Sequence, residues 1–507
     1  MNKANSSKVI HPKMEDGYKN VLSNYTNRSS AIFPLLLGKD NDVQIVFLNY
    51  WMIKNKMESV TCNIRIHNKS GDLIQTVTLK LIDKHYAISI KDILKINVPF
   101  QGIANIEFIS EENFGFPFPA ITAFYSSKSN FSGVHSAGRI KNTDEKKVPG
   151  RIIETNWRCK WEEGITPFFT IFNGSIKRDK TFAQIYLKSP NNEILDSKKI
   201  SLDFENPFSN EFFFLDEILN LDISKIEKNT FVEIELPYND FFPRMICGNF
   251  FKKDNFLEVT HSFENQKDNP DYLNEKDLNN KEYKIPSINP IATNKDLDLD
   301  LIFFPTNCEG TAIGSWRKGG FDESLTKSKE NFEWICGGNG SEVKEIRIKK
   351  GNKVQALDIT KGKIPTRINT NYVYSVGNSN SKYSTDIAAG QITEYFPPKR
   401  FTWGHGIIGK GYQTNIFLTS FSHDDVNKIA SKGTLTILLG RKEFVSYHNI
   451  PEESGIQIKI NEILKGDFEE EKINFISWFY VQEKRTKLMS YWVSYTNEGQ
   501  ITGDHAF

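Results

Sequence analysis

Nine histidines are spread through 507 residues, and four of them share one local setting. His135, His261, His405 and His505 each follow an aromatic residue by ten positions (Tyr125, Phe251, Tyr395 and Tyr495) and an apolar one by four (Phe131, Leu257, Phe401 and Ile501). A small residue comes next each time: Ser136, Ser262, Gly406 and Ala506. Neutral imidazole is the commonest metal ligand in proteins, and several imidazoles from separate elements suit Zn or Fe. One expected chemistry is therefore a shared transition-metal centre with one His from each copy of a repeat. Asp504, beside His505, is then a further ligand or the group that orients one. An open coordination position makes such a centre an enzyme site, and a closed one makes it structural.

Two other chemistries fit the same residues. Each copy can carry its own small pocket, with Tyr125, Phe251, Tyr395, Tyr495 and Trp403 as platforms for a sugar ring or another small molecule and the His as hydrogen-bond donor. The third reading is structural: aromatic and His face each other across a hairpin, and the imidazole ties down a loop carbonyl.

Other motifs are weaker. The run Gly404–Gly411 is glycine-rich but completes no phosphate-binding pattern, and the chain continues from it as strand rather than helix. His423-Asp424-Asp425 reads as a solvated turn. Neither G-x-S-x-G nor H-E-x-x-H occurs. Cys62, Cys159, Cys247, Cys308 and Cys336 are scattered singly, as suits reduced, buried thiols rather than a disulfide framework or a zinc-thiolate site.

The elements that must position these residues are strands. Val60, Cys62, Ile64 and Ile66 alternate with polar neighbours, the cluster Asn68–Asp72 follows, and Val77, Leu79 and Leu81 alternate again. Period two bounded by Asn, Gly and Asp predicts a half-buried hairpin. Three segments, ending Asp92-Ile93-Leu94, Glu217-Ile218-Leu219 and Glu462-Ile463-Leu464, share a pattern that predicts a short helical turn, with a weaker copy at Val354–Ile359. Phe47, Phe172 and Phe417 each precede the Leu of that motif by 47 residues. From the motif to the His is 41 residues for Leu94, 42 for Leu219 and 41 for Leu464, but 46 from Ile359 in the divergent copy. Such offsets point to internal repetition.

The expected architecture is all-β: four tandem immunoglobulin-like β-sandwich repeats in two pairs joined by a polar linker. The divisions are a polar arm at 1–30, repeats at 31–148 and 149–263, the linker at 264–297, and repeats at 298–407 (divergent) and 408–507. Lys plus Arg number 64 against 63 Asp plus Glu, a formal charge of +1, which argues against a nucleic-acid partner. No run approaches 18 apolar residues, so no membrane span is expected. The polar start predicts a cytoplasmic chain. The leading expectation of function is a cytosolic binding or interaction protein for a protein, small-molecule or glycan ligand. The alternative is a metal-dependent enzyme centred on His135, His261, His405 and His505.

Overall fold

A computed structural model describes residues 27–507 except 97, 115–120, 136–138, 141–150, 156, 220, 238–240, 243–244, 267–271, 274–286, 308, 363, 366–367, 378–382, 390, 393–398, 421–429 and 487. Nearly all regular structure is antiparallel β. Among the described residues there are six four-stranded and two five-stranded sheets, with two small two-stranded ones.

The large sheets come in pairs, and one strand order recurs in four stretches of chain: 28–135, 151–261, 287–389 and 399–505. Two-residue strands and the edge strand Phe263–Gln266 aside, one sheet of each pair runs first-sixth-third-fourth and the other fifth-second-seventh-eighth. In the first stretch these are Arg28–Leu37, Phe100–Ile109, Thr61–Asn68 and Leu73–Lys80, against His85–Ser89, Asn41–Leu48, Ile121–Ser127 and Asn130–His135. The first strand lies beside the sixth, whereas an immunoglobulin domain seats it beside the second.

Local chemistry follows the sequence. Cys62, Ile64 and Ile66 are fully buried and pair with the next strand as Cys62↔Leu79 and Ile64↔Val77. The turn between closes on Asn68, whose side chain accepts from Asp72 N at 2.9 Å, and on Gly71 at φ 92. A Cβ at Gly71 would lie 2.1 Å from Pro207 O, so glycine is needed for both the turn and the approach of the second stretch. The Ile-Leu motif is helical at Ile90–Leu94, capped by Ser89 accepting from Asp92 N, and again at Leu215–Ile218 and Ile460–Ile463. Phe47, Phe172 and Phe417 are buried on the second strands.

Three segments of the sequence reading fall on strands. Val354–Ile359 forms no helical turn; it lies within the strand Lys353–Gly362, paired with Gly310–Gly319. The strand Lys399–Ile408, which the expected boundary after 407 would cut, pairs along Asn474–Thr486. The strands Phe263–Gln266 and Ser287–Thr293, which overlap the expected linker, join the large sheets. Residues 267–271 and 274–286 of that linker, and 1–26 of the arm, lie outside the described residues.

The sandwich cores run into one another. Phe168, Ile246, Leu257 and Val259 of the second stretch, and Leu438 and Phe479 of the fourth, pack into the core of the first. Phe124 and Phe131 of the first stretch join the core around Trp478 and Trp492. Phe417, Tyr491 and Tyr495 of the fourth join the core of the third. A fully buried side chain of this kind contributes about 1.5–3 kcal/mol relative to exposure, so these shared contacts hold the stretches together.

Candidate metal centre

The eighth strands meet one another. The strand ending at His135 contacts those ending at His261 and His505, and the strand Thr385–Ala389 contacts the same two from the other side, closing a ring of four. The contacts are not a continued β-ladder. Ser132 Oγ accepts from Val259 N at 2.8 Å, Gly133 N donates to Thr502 Oγ1 at 2.7 Å, and Thr385 Oγ1 donates to Gly503 O at 3.1 Å. Hydroxyls thus satisfy backbone groups where two strands approach side by side without pairing.

His135, His261 and His505 are the last residues of their strands, and the ring brings them together. Ring centroids are 4.5 Å apart for His135–His261, 4.2 Å for His135–His505 and 6.4 Å for His261–His505. One nitrogen from each lies within 4.8 Å of the other two. His135 and His261 are buried, and His505 is half-buried.

The Nδ1 atoms are all engaged with acceptors: His135 on Asp504 Oδ2 at 2.9 Å, His261 on Ser262 O at 2.9 Å, and His505 on Ala506 O at 3.2 Å. Carbonyl oxygens only accept, so the last two rings carry their proton on Nδ1, and in the neutral ring the lone pair is on Nε2. Asp504 is no ligand here. Its Oδ2 also accepts from His135 N, and its Oδ1 accepts from His505 N, both at 2.7 Å. Burial works to raise the Asp504 carboxyl, but the His135 ring and hydrogen bonds, with His505, hold it below its ordinary value.

No protein-family model and no curated protein matches this chain. The centre is therefore read from its geometry alone.

His405 does not join the group. It lies on the first strand of the fourth stretch, fully buried, with Nδ1 3.0 Å from Ser477 Oγ. His85 Nδ1 approaches the same hydroxyl at 2.7 Å, so Ser477 bridges two imidazoles across the contact between the first and fourth stretches. The sequence showed no sign of this bridge, because Ser477 stands between Ile476 and Trp478 as an ordinary polar residue of an alternating strand.

The aromatic residues are built into the core rather than set out as platforms. Tyr125 is buried with its hydroxyl donating to Pro34 O at 2.6 Å. Phe251 is buried against Tyr383, 4.9 Å between centroids. Tyr495 OH donates to Asp296 Oδ2 and accepts from Asn415 Nδ2. Trp403 stacks on Tyr50 at 5.0 Å and packs on Phe507 at 5.6 Å. Tyr395 lies outside the described residues. Nor do aromatic and imidazole face each other: Tyr125, Phe251 and Tyr495 sit opposite Ser132, Phe256 and Ile501, and the imidazoles opposite Thr122, Ile246 and Tyr491. Ten residues across a tight hairpin place the two at opposite ends of the strand pair.

A second buried polar cluster lies beside the ring. Lys160 Nζ donates to Glu258 Oε1 at 2.7 Å, which also accepts from Ser384 N at 2.7 Å, while Asn249 Nδ2 donates to Oε2 at 2.9 Å. It ties the second stretch to the third. The described cysteines Cys62, Cys159, Cys247 and Cys336 are buried and form no disulfide. Burial pushes the Cys62 thiol up to about 12, which leaves it inert. No described helix is long and apolar enough to cross a membrane.

Proposed function

We propose that this chain is a metal-binding protein holding one first-row transition ion, Zn2+ or Fe2+, through Nε2 of His135, His261 and His505. One observation carries the reading: three imidazoles from three stretches of chain converge, and each has its Nδ1 on an acceptor. Metal-binding histidines are oriented in this way, by a carboxylate or carbonyl on the other ring nitrogen. Two nitrogens on one ion at 2.0–2.1 Å are about 3.4 Å apart, so the rings must draw in by about an ångström to close on it.

The test is elemental analysis and Zn2+ titration of the purified chain. The expected result is one ion per chain, lost in His135→Ala, His261→Ala or His505→Ala and kept in His405→Ala. A wild-type chain that takes up no stoichiometric ion, or equal loss in His405→Ala, removes the reading.

We read the recurring strand order as four tandem copies of one sandwich module, the fourth beginning near residue 399. A second function is favoured by a separate observation. The fourth strands of the first, second and fourth stretches, at sheet edges, expose Leu73 and Ile74, Ile194 and Leu195, and Val445 and Tyr447. Exposed apolar edge strands are docking surfaces for another chain. Association of the chain with itself, measured by sedimentation and abolished by Val445→Lys with Tyr447→Lys, supports this; a monomer at every concentration removes it.

A further inference from the structure

We infer that the ion in this centre keeps a fourth coordination position for an exogenous ligand, either water or a small anionic oxygen or nitrogen donor. The inference rests on the three-imidazole reading above and adds to it what the ion binds.

Among the described residues, the group whose ligand atoms come within 4.8 Å of one another is His135, His261 and His505. The strand Thr385–Ala389 completes the ring, but its one carboxylate, Asp386, accepts from Arg158 N at 2.9 Å and from Asn371 Nδ2. The Asp504 carboxylate beside the group is turned to other partners: both its oxygens accept from backbone N–H groups, and one holds the His135 ring as well. Tetrahedral coordination by three protein nitrogens leaves one position to fill.

Charge decides what fills it. Three neutral imidazoles leave a divalent ion at +2, and Asp504, at one remove, returns a single negative charge. In an enclosed site the remaining charge favours an anion, or a water that loses its proton on binding. Access comes past His505, which is half-buried while His135 and His261 are closed in. The Phe507 ring, 5.5 Å from His135 and 6.1 Å from His505, is an apolar wall on that side. A wall of this kind limits the ligand to a small one.

Co2+ is the probe, because its visible bands report the coordination shell. The full-length chain is titrated with Co2+ and then with azide, and separately with acetate as an oxygen donor. The expected result is saturation at one equivalent, followed by a saturable shift of the visible bands on adding azide, acetate or both. Uptake of one equivalent with bands that neither anion moves overturns the inference and leaves the three-imidazole reading standing. No uptake at one equivalent overturns both.

Discussion

The Asp504 carboxylate accepts from both the ring Nδ1 and the backbone N–H of His135, 369 residues earlier in the chain. That double contact joins the fourth stretch to the first and sets the direction in which the His135 ring faces. Asp504→Asn keeps the shape but weakens the acceptor. Loss of such an orienting group typically lowers metal affinity by about 10–100-fold. Zn2+ competition titration of the variant checks this, and affinity equal to wild type rules out an orienting role.

Ser477 makes a different prediction. A hydroxyl has one proton and two lone pairs, so it can donate to one of the His85 and His405 rings while accepting from the other. Ser477→Ala takes a partner from two buried imidazoles at once. The expected cost is about 1–3 kcal/mol in urea unfolding, with metal content unchanged. A fall in bound metal in this variant would tie His405 to the centre after all.

His85 also sets a pH dependence. Burial lowers its imidazole from 6.5 to about 4, with a backbone hydrogen bond at Phe475 opposing. The unfolded chain thus takes up this proton at higher pH than the folded one. Its contribution to stability is complete above about 6.5 and is lost as pH falls towards 4, at up to roughly 1.4 kcal/mol per unit. Urea midpoints measured between those limits should fall with pH, and His85→Gln should flatten that part of the profile. A variant as steep as wild type would assign the loss elsewhere.

The Lys160–Glu258 pair tests the joint between the second and third stretches. Both side chains are buried, so removing one leaves a charge without its counter-ion. Lys160→Met is expected to cost about 3–5 kcal/mol, and Lys160→Met with Glu258→Leu distinctly less. Denaturant unfolding of the two variants checks the order; equal costs would mean that the pair is not coupled.

Much of the strand content was legible in the residues. Strict alternation, as in Cys62-x-Ile64-x-Ile66, leaves a strand one buried face and one wet face, and Asn-Gly-Asp clusters mark where it must turn. The Ile-Leu motif was legible in three segments, which are helical at Ile90–Leu94, Leu215–Ile218 and Ile460–Ile463, but not at Val354–Ile359, which lies within a strand. His405 shows where this reading stops. Its aromatic and small neighbours matched those of the other three, yet its offset of 46 residues departed from 41 and 42. That difference reflects its place on a first strand rather than an eighth.

From the chain alone came the β class, the turns and the placing of three imidazoles on hairpin strands, though not their register, because each depends on neighbours within a hairpin's length. Their convergence was decided only by the packing of one sandwich on another. The contacts responsible, Ser132 with Val259, Gly133 with Thr502 and His135 with Asp504, link residues 127 and 369 positions apart. Each is a single hydroxyl or carboxylate on a backbone N–H, and such a contact leaves no periodic trace in the sequence.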